Sequence, residues 1–355
     1  MVYTNLKKYG LSDRFEQEAT MYGGFALARI TEQHRDLYKA VREDGYAKAV
    51  VSGKLRYSSG SALDFPAVGD WVMLEDDGTD GNAVIHHVLT RSSVFVRQAA
   101  GTAGDAQVVA ANIDVVFICM SLNADFNLRR LERYLTVAWD SRAKPAIVLT
   151  KSDLCEDLAE RLVEVEGVSM GVPIVVCSSE NGDGFDEVSA RIGTGKTAAF
   201  IGSSGVGKST MINRLLGENA LATQAIREGD GKGRHTTTHR QLLLLLNGGI
   251  VIDTPGMREL SLYSGDVSRT FEDIEDLATQ CKFSNCTHSD EPGCAVRAAI
   301  ADGSLAEKRF GNYQKLGREI NYEGLNSRER EQEKINRMFG GKKALKNFQK
   351  SLKKK

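Results

Sequence analysis

At 355 residues the chain has room for two or three domains. Its 46 Lys and Arg stand against 47 Asp and Glu, a formal net charge of −1, which argues against a nucleic-acid protein that is basic all over but leaves local basic patches open. There is no secretory signal and no apolar run of membrane length, so the expected setting is a reducing, cytoplasmic one with no membrane partner.

From about Phe25 to Arg97, short strand-like runs alternate with Gly, Asp and Asn turns. They are Phe25–Ile30, Leu37–Val41, Tyr46–Val51, Val68–Leu74 and Val84–Val88. Five short strands with turn signals fit a small barrel, and an OB-fold is the natural candidate. Between the third and fourth runs, Ser52–Gly60 mixes Lys54, Arg56 and Tyr57, and is expected to be a loop. It suits a grip on looped or single-stranded RNA and, equally, a solvated hairpin.

A different pattern begins near Gln107. Ile113–Cys119 has the apolar run of a buried strand, and Asn127–Ala138 that of an amphipathic helix with Leu128, Leu131, Leu135 and Ala138 on one face. Strands then alternate with helices as far as Asp253, which predicts a mainly parallel sheet with ligand loops at the strand ends. The strand Pro145–Leu149 closes on Thr150-Lys151-Ser152-Asp153. That run resembles the N/T-K-x-D element with which GTPases read guanine: the carboxylate accepts from the base N1–H and 2-amino group, and the Lys stacks along the base. The next strand, Val172–Val176, runs into Cys177-Ser178-Ser179, which resembles the loop that supports the same base.

Thr197–Ile201 leads into Gly202, Ser203, Ser204, Gly205, Val206, Gly207, Lys208 and Ser209, a G-x-x-x-x-G-K-[ST] run, and a helix is expected from Thr210 to the stop at Gly217. Glycines let backbone N–H groups face a phosphate, and the helix N-terminus adds positive potential. Lys208 would reach the β- and γ-phosphates and Ser209 would ligate Mg²⁺. Gly249–Ile252 then delivers Asp253-Thr-Pro-Gly256. There Asp253 can hold the Mg²⁺ shell and Gly256 can offer its N–H to a γ-phosphate; a plain strand-to-turn exit is the competing reading. In an ordinary GTPase the phosphate motifs come first. Here both base-reading motifs precede them, the order of a circular permutation, which a cut at one surface loop permits.

Downstream, Cys281, Cys286, His288 and Cys294 form C-x4-C-x-H-x5-C, suited to a closed, structural Cys₃His zinc site. Disulfides and buried free thiols are the alternatives, disfavoured in a reducing compartment. The chain ends in Lys342-Lys343, Lys346, Lys350 and Lys353–Lys355, a run that is either solvated or drawn to a phosphate backbone.

Together these features resemble the bacterial small-subunit-dependent GTPase family RsgA, also called YjeQ, over roughly Gly24 to Arg337. The resemblance implies a multidomain α/β fold: an N-terminal extension and OB-fold β-barrel that binds RNA (1–104), a circularly permuted P-loop GTPase α/β domain (105–262), a C-terminal zinc-binding helical domain (263–340) and a basic tail (341–355). It implies hydrolysis of GTP to GDP stimulated by the small ribosomal subunit during its late maturation, contact with 16S rRNA and assembly factors, and a monomer. The segment Arg227–His239 resembles the family's switch I, which implies that one of its threonines, Thr237 ahead of Thr236, ligates Mg²⁺; His235 is expected to orient the attacking water, or to meet RNA or solvent instead. Thr150 stands where most members have Asn. It loses the amide that contacts the base and braces the P-loop, so guanine selectivity is expected to persist with weaker affinity. Ser179 replaces the usual Ala, and Met257, apolar as in the family, cannot position water. A generic P-loop ATPase and a nucleotide-gated RNA-binding switch with incidental hydrolysis are the rival readings.

Overall fold

The computed structural model describes residues 3–34, 36–76, 81–98, 106–217, 221, 240–253 and 267–323. The chain opens with α1 (Asn5–Lys8) and α2 (Asp13–Ala19), then β1 (Ala26–His34), β2 (Leu37–Arg42), β3 (Gly45–Val51), α3 (Gly53–Ser58), β4 (Trp71–Asp76) and β5 (Ala83–Val88). A hairpin follows, β6 (Val94–Gln98) and β7 (Ala106–Ala111), whose strands pair antiparallel across the 104/105 position. Next come β8 (Val115–Ser121), α4 (Leu128–Asp140), β9 (Lys144–Thr150), α5 (Leu158–Ser169), β10 (Ile174–Val176), α6 (Phe185–Ile192), β11 (Thr197–Gly202) and α7 (Lys208–Leu216). The described chain closes with β12 (Arg240–Leu244), β13 (Ile250–Asp253), α8 (Glu272–Thr279), α9 (Ala295–Ala301) and α10 (Glu307–Glu323).

The five strands expected near the N-terminus are present and close into an OB-like barrel. β1 pairs with β2, β2 with β3, β3 in parallel with β5, β5 with β4, and β4 back with β1. Closure removes the exposed edges an open sheet would leave. Ser52–Gly60 corrects the sequence expectation: it holds α3 rather than a loop, because the Ser52 hydroxyl caps the helix by accepting from the Leu55 N–H at 3.0 Å. Lys54 and Tyr57 lie exposed on that short helix.

The second unit is the parallel sheet read from the alternating pattern, in the order β10-β9-β8-β11-β13. Its strands are buried on both faces, as parallel strands covered by helices must be. Ile118, Ile147 and Ile201 are wholly buried, each contributing about 1.5–3 kcal/mol of hydrophobic stabilisation. The antiparallel β12 extends this sheet and then pairs with β1 through Glu32–Gln241 and Gln33–Arg240, so barrel and sheet are hydrogen-bonded into one surface.

Two buried cations hold the units in register. Arg29 of β1, 1 % exposed, donates to the carbonyls of Tyr9, Gly69 and Asn112 and to the Thr197 hydroxyl at 2.9 Å. It therefore ties together the N-terminal helix, the barrel, the hairpin and β11. Arg309 of α10 pairs with Glu132 of α4 at 2.5 Å and with Asp273 of α8 at 2.7 Å, and Asn312 completes the Glu132 carboxylate. With Arg133 on Glu319 at 2.6 Å, this network docks the C-terminal helices on α4. No helix among the described residues is long and apolar enough to cross a membrane.

Candidate active site

Parallel strands direct their C-terminal ends to one edge of the sheet, and there the sequence motifs meet. β11 ends at Gly202, where φ is +145° and an added Cβ would lie 2.4 Å from the Cys119 carbonyl, so only glycine fits beside β8. The loop Ser203–Gly207 follows, with Ser204 and Gly205 exposed and Val206 buried. Gly207 takes the left-handed N-cap conformation, which starts α7 at Lys208, two residues before the expected Thr210. Ser209 and Thr210 thus occupy its first turn, beside N–H groups with no intrahelical partner. Lys208 Nζ folds back onto the carbonyls of Gly202 at 2.8 Å and Ser203 at 2.6 Å.

β9 ends at Thr150, across β8 from the end of β11 and 52 residues earlier than Gly202 in sequence (202 − 150 = 52). The Thr150 hydroxyl, buried, donates to the Val206 carbonyl at 2.7 Å. The brace expected to vanish with the missing amide is therefore kept by the hydroxyl. Lys151 adopts a left-handed conformation, φ 59°, and turns the chain so that Asp153 emerges exposed. β10 exits through Cys177 to a buried Ser178, whose hydroxyl donates to Asp153 Oδ1, and to an exposed Ser179. The carboxylate is thereby aimed by a side chain from the neighbouring strand end.

β13 delivers Asp253 to the same edge. Burial pushes its carboxyl up to about 6 against the opposing pull of the Lys208 ammonium. A carboxylate held so short of solvation, facing a phosphate loop, is suited to a cation's coordination shell. His235, Thr237, Gly256 and Met257, the Arg227–His239 segment and the lysine-rich tail lie outside the described residues.

Arg130, not anticipated from the sequence, stands beside this edge. It leaves the first turn of α4 to donate to the Ser203 hydroxyl and to Asp125 Oδ2 at 2.8 Å. Asp125, Arg130, Arg133, Tyr134, Ser203 and Ser204 line an open cleft of about 410 Å³. Only the placement of β8 against β11 reveals this contact, because the two residues are 73 positions apart.

The four expected zinc ligands also come together, their donor atoms all within 4.8 Å of one another. Cys281 Sγ lies 3.6 Å from His288 Nδ1 and 3.9 Å from Cys294 Sγ, and Cys294 Sγ lies 3.5 Å from the same nitrogen. Tetrahedral bonds of about 2.3 Å to sulfur and about 2.0 Å to nitrogen place S···S at about 3.8 Å and S···N at about 3.5 Å. The set fits zinc, with Nδ1 as the donor of His288.

Comparison with known proteins agrees with this geometry. Residues 88–263 match the RsgA GTPase family. The chain is 57% identical over 342 residues to the small ribosomal subunit biogenesis GTPase RsgA 2 of Lactiplantibacillus plantarum, covering 96% of this chain and 97% of that protein. The chain belongs to the RsgA GTPase family. RsgA 1 of Oceanobacillus iheyensis is 43% identical over 322 residues, covering 90% of this chain and 92% of that protein. Among solved structures, YjeQ from Thermotoga maritima aligns with a TM-score of 0.60 at 28% identity, over 85% of this chain and all of that one (100%). A circularly permuted GTPase, YloQ, shares the fold with a TM-score of 0.60 at 22% identity, over 86% of this chain and 98% of its own. As an RsgA-family GTPase the chain is a hydrolase, and its sheet carries the permuted order, with β9 and β10 preceding β11 in sequence.

Proposed function

We propose that this GTPase hydrolyses GTP on the small ribosomal subunit late in the subunit's maturation, with hydrolysis stimulated by that subunit. The observation that carries the reading is the meeting of Thr150 with Val206, which locks the base-reading edge to the phosphate loop. The ribosomal partner rests on relatives named small ribosomal subunit biogenesis GTPases across nearly the whole chain. Contact with 16S rRNA and assembly factors, a monomeric state and a cytoplasmic location belong to the same reading.

In this reading Asp153, steadied by Ser178, accepts from the guanine N1–H and 2-amino group, Lys151 flanks the base, and Ser179 supports the loop. The N–H groups of Ser203 to Thr210 cradle the phosphates, and Lys208 exchanges the Gly202 and Ser203 carbonyls for the β- and γ-oxygens. Ser209 and Thr237 would hold Mg²⁺ with Asp253 in its shell, where the ion supplies charge neutralisation at the phosphates. Gly256 offers its N–H to the γ-phosphate, and His235 orients the water. Cys281, Cys286, His288 and Cys294 would hold one structural zinc that fixes the loop between α8 and α9. The domains follow the limits 1–104, 105–262 and 263–340, with the basic tail beyond.

Turnover of GTP by the zinc-replete protein, alone and with small or large subunits, tests the proposal. Stimulation by small subunits only is expected. Stimulation by neither, with GTP-dependent small-subunit binding retained, favours a binding switch and overturns the catalytic part.

A further inference from the structure

Arg240 opens β12 at the seam where that strand pairs with β1. Its guanidinium donates to the β6–β7 hairpin at the Val108 carbonyl, and its hydrogen bonds among the described residues are long, 3.4 Å to that carbonyl and 3.5 Å to Gln33 Oε1. Arg97 of β6 sits beside Val108, since Val96 pairs with Val108 and Arg97 with Gln107. Both arginines are half-buried. Among the described residues the acceptors of Arg240 are an amide and a carbonyl oxygen rather than a carboxylate, and Arg97 Nε is enclosed without a hydrogen-bond partner. Burial and then the charge of Arg97 push the Arg240 guanidinium down to about 10, so the two cations feel one another.

Half-buried like charges are costly, and an enclosed N–H without an acceptor adds to the cost. A tetrahedral oxyanion removes both penalties, because it supplies opposite charge and several acceptors to two guanidinium forks. We infer that Arg97 and Arg240 form a phosphate-binding site between the hairpin, the barrel strand β1 and β12. Its ligand is a phosphodiester of the RNA backbone, an assignment that rests on the ribosomal reading above.

Two measurements on the full, zinc-replete chain test this, with Mg·GDP saturating the P-loop. In the first, inorganic phosphate replaces chloride at matched ionic strength during thermal unfolding. Phosphate is expected to raise the Tm of the wild type more than that of Arg97→Gln or Arg240→Gln, with Arg97→Lys intermediate. Equal responses overturn the oxyanion site. In the second, binding to small ribosomal subunits is followed against KCl. Each Gln variant is expected to lose roughly 0.7–0.9 from the slope of log K against log salt. Its affinity should fall about 10-fold, while GTP affinity without subunits is unchanged. A phosphate response with an unchanged slope overturns the RNA source and leaves a free phosphate-bearing solute. Failure of the wild type to bind subunits removes the ribosomal reading and the RNA source with it, and the first measurement still decides the oxyanion site.

Discussion

The Thr150 hydroxyl donates to the Val206 carbonyl at 2.7 Å, joining the strand end proposed to read the base to the loop proposed to hold the phosphates. Both atoms sit in buried residues, so the bond has no water to replace it. A hydroxyl donates one proton, and the Val206 carbonyl is its nearer acceptor, with the Met120 carbonyl at 3.4 Å, so it supplies the brace, and in the proposed reading the base contact falls to Asp153 and Lys151.

Thr150→Val keeps the shape and removes the donor, leaving a buried carbonyl unpaired at a cost of about 1–2 kcal/mol. GTP affinity is expected to fall by roughly 5- to 30-fold, with the preference for GTP over ATP retained. Equilibrium titration with a fluescent-labelled GTP and unlabelled ATP as competitor checks both halves.

The raised Asp253 carboxyl has two opposite consequences for pH. In the nucleotide-free protein the folded chain keeps a proton, up to about 6, that the unfolded chain releases near its ordinary value of ~3.9. This group therefore favours folding most at low pH, and its contribution declines as pH rises through that window. In its proposed place in the Mg²⁺ shell Asp253 must be ionised, so Mg·GTP affinity should weaken below about pH 6, toward a limit of tenfold per pH unit. Asp253→Asn should flatten this profile, and calorimetric titration across pH 5 to about 8 would show it.

Among the cysteines, burial pushes the Cys119 and Cys177 thiols up to about 12, which leaves them inert near neutral pH. With zinc in place, only half-buried Cys155 is expected to react quickly with a maleimide. After chelation Cys281, Cys286 and Cys294 should join it, with loss of order around α8 and α9. Mass spectrometry of labelled protein gives the count. Labelling of three further thiols without added chelator by a metal-loaded sample would falsify the zinc assignment.

Arg29→Met removes four hydrogen bonds that converge from separate units and leaves their acceptors buried. Stability is expected to fall by about 3 kcal/mol or more. A lower denaturant midpoint with an unchanged slope checks it, and Arg29→Lys should recover only part of the loss because one ammonium cannot reach all four acceptors.

The motifs were legible from sequence because each is a contiguous run whose chemistry is local. Gly202–Ser209, Thr150–Asp153, Asp253–Gly256 and the spacing of Cys281, Cys286, His288 and Cys294 needed no fold to be recognised, and their order along the chain already implied permutation. Strands such as β8, β9 and β11 followed from apolar runs, and α4 from its periodicity. α3 escaped because a six-residue helix has too few turns for a periodic signal, and its Ser52 cap resembles a turn residue. What tertiary structure alone decided was who meets whom: Thr150 with Val206, Arg130 with Ser203, Arg240 with the hairpin of Arg97, and β12 with β1. Those contacts join residues far apart in the chain, and strand order, which brings them together, leaves no periodic mark on the sequence.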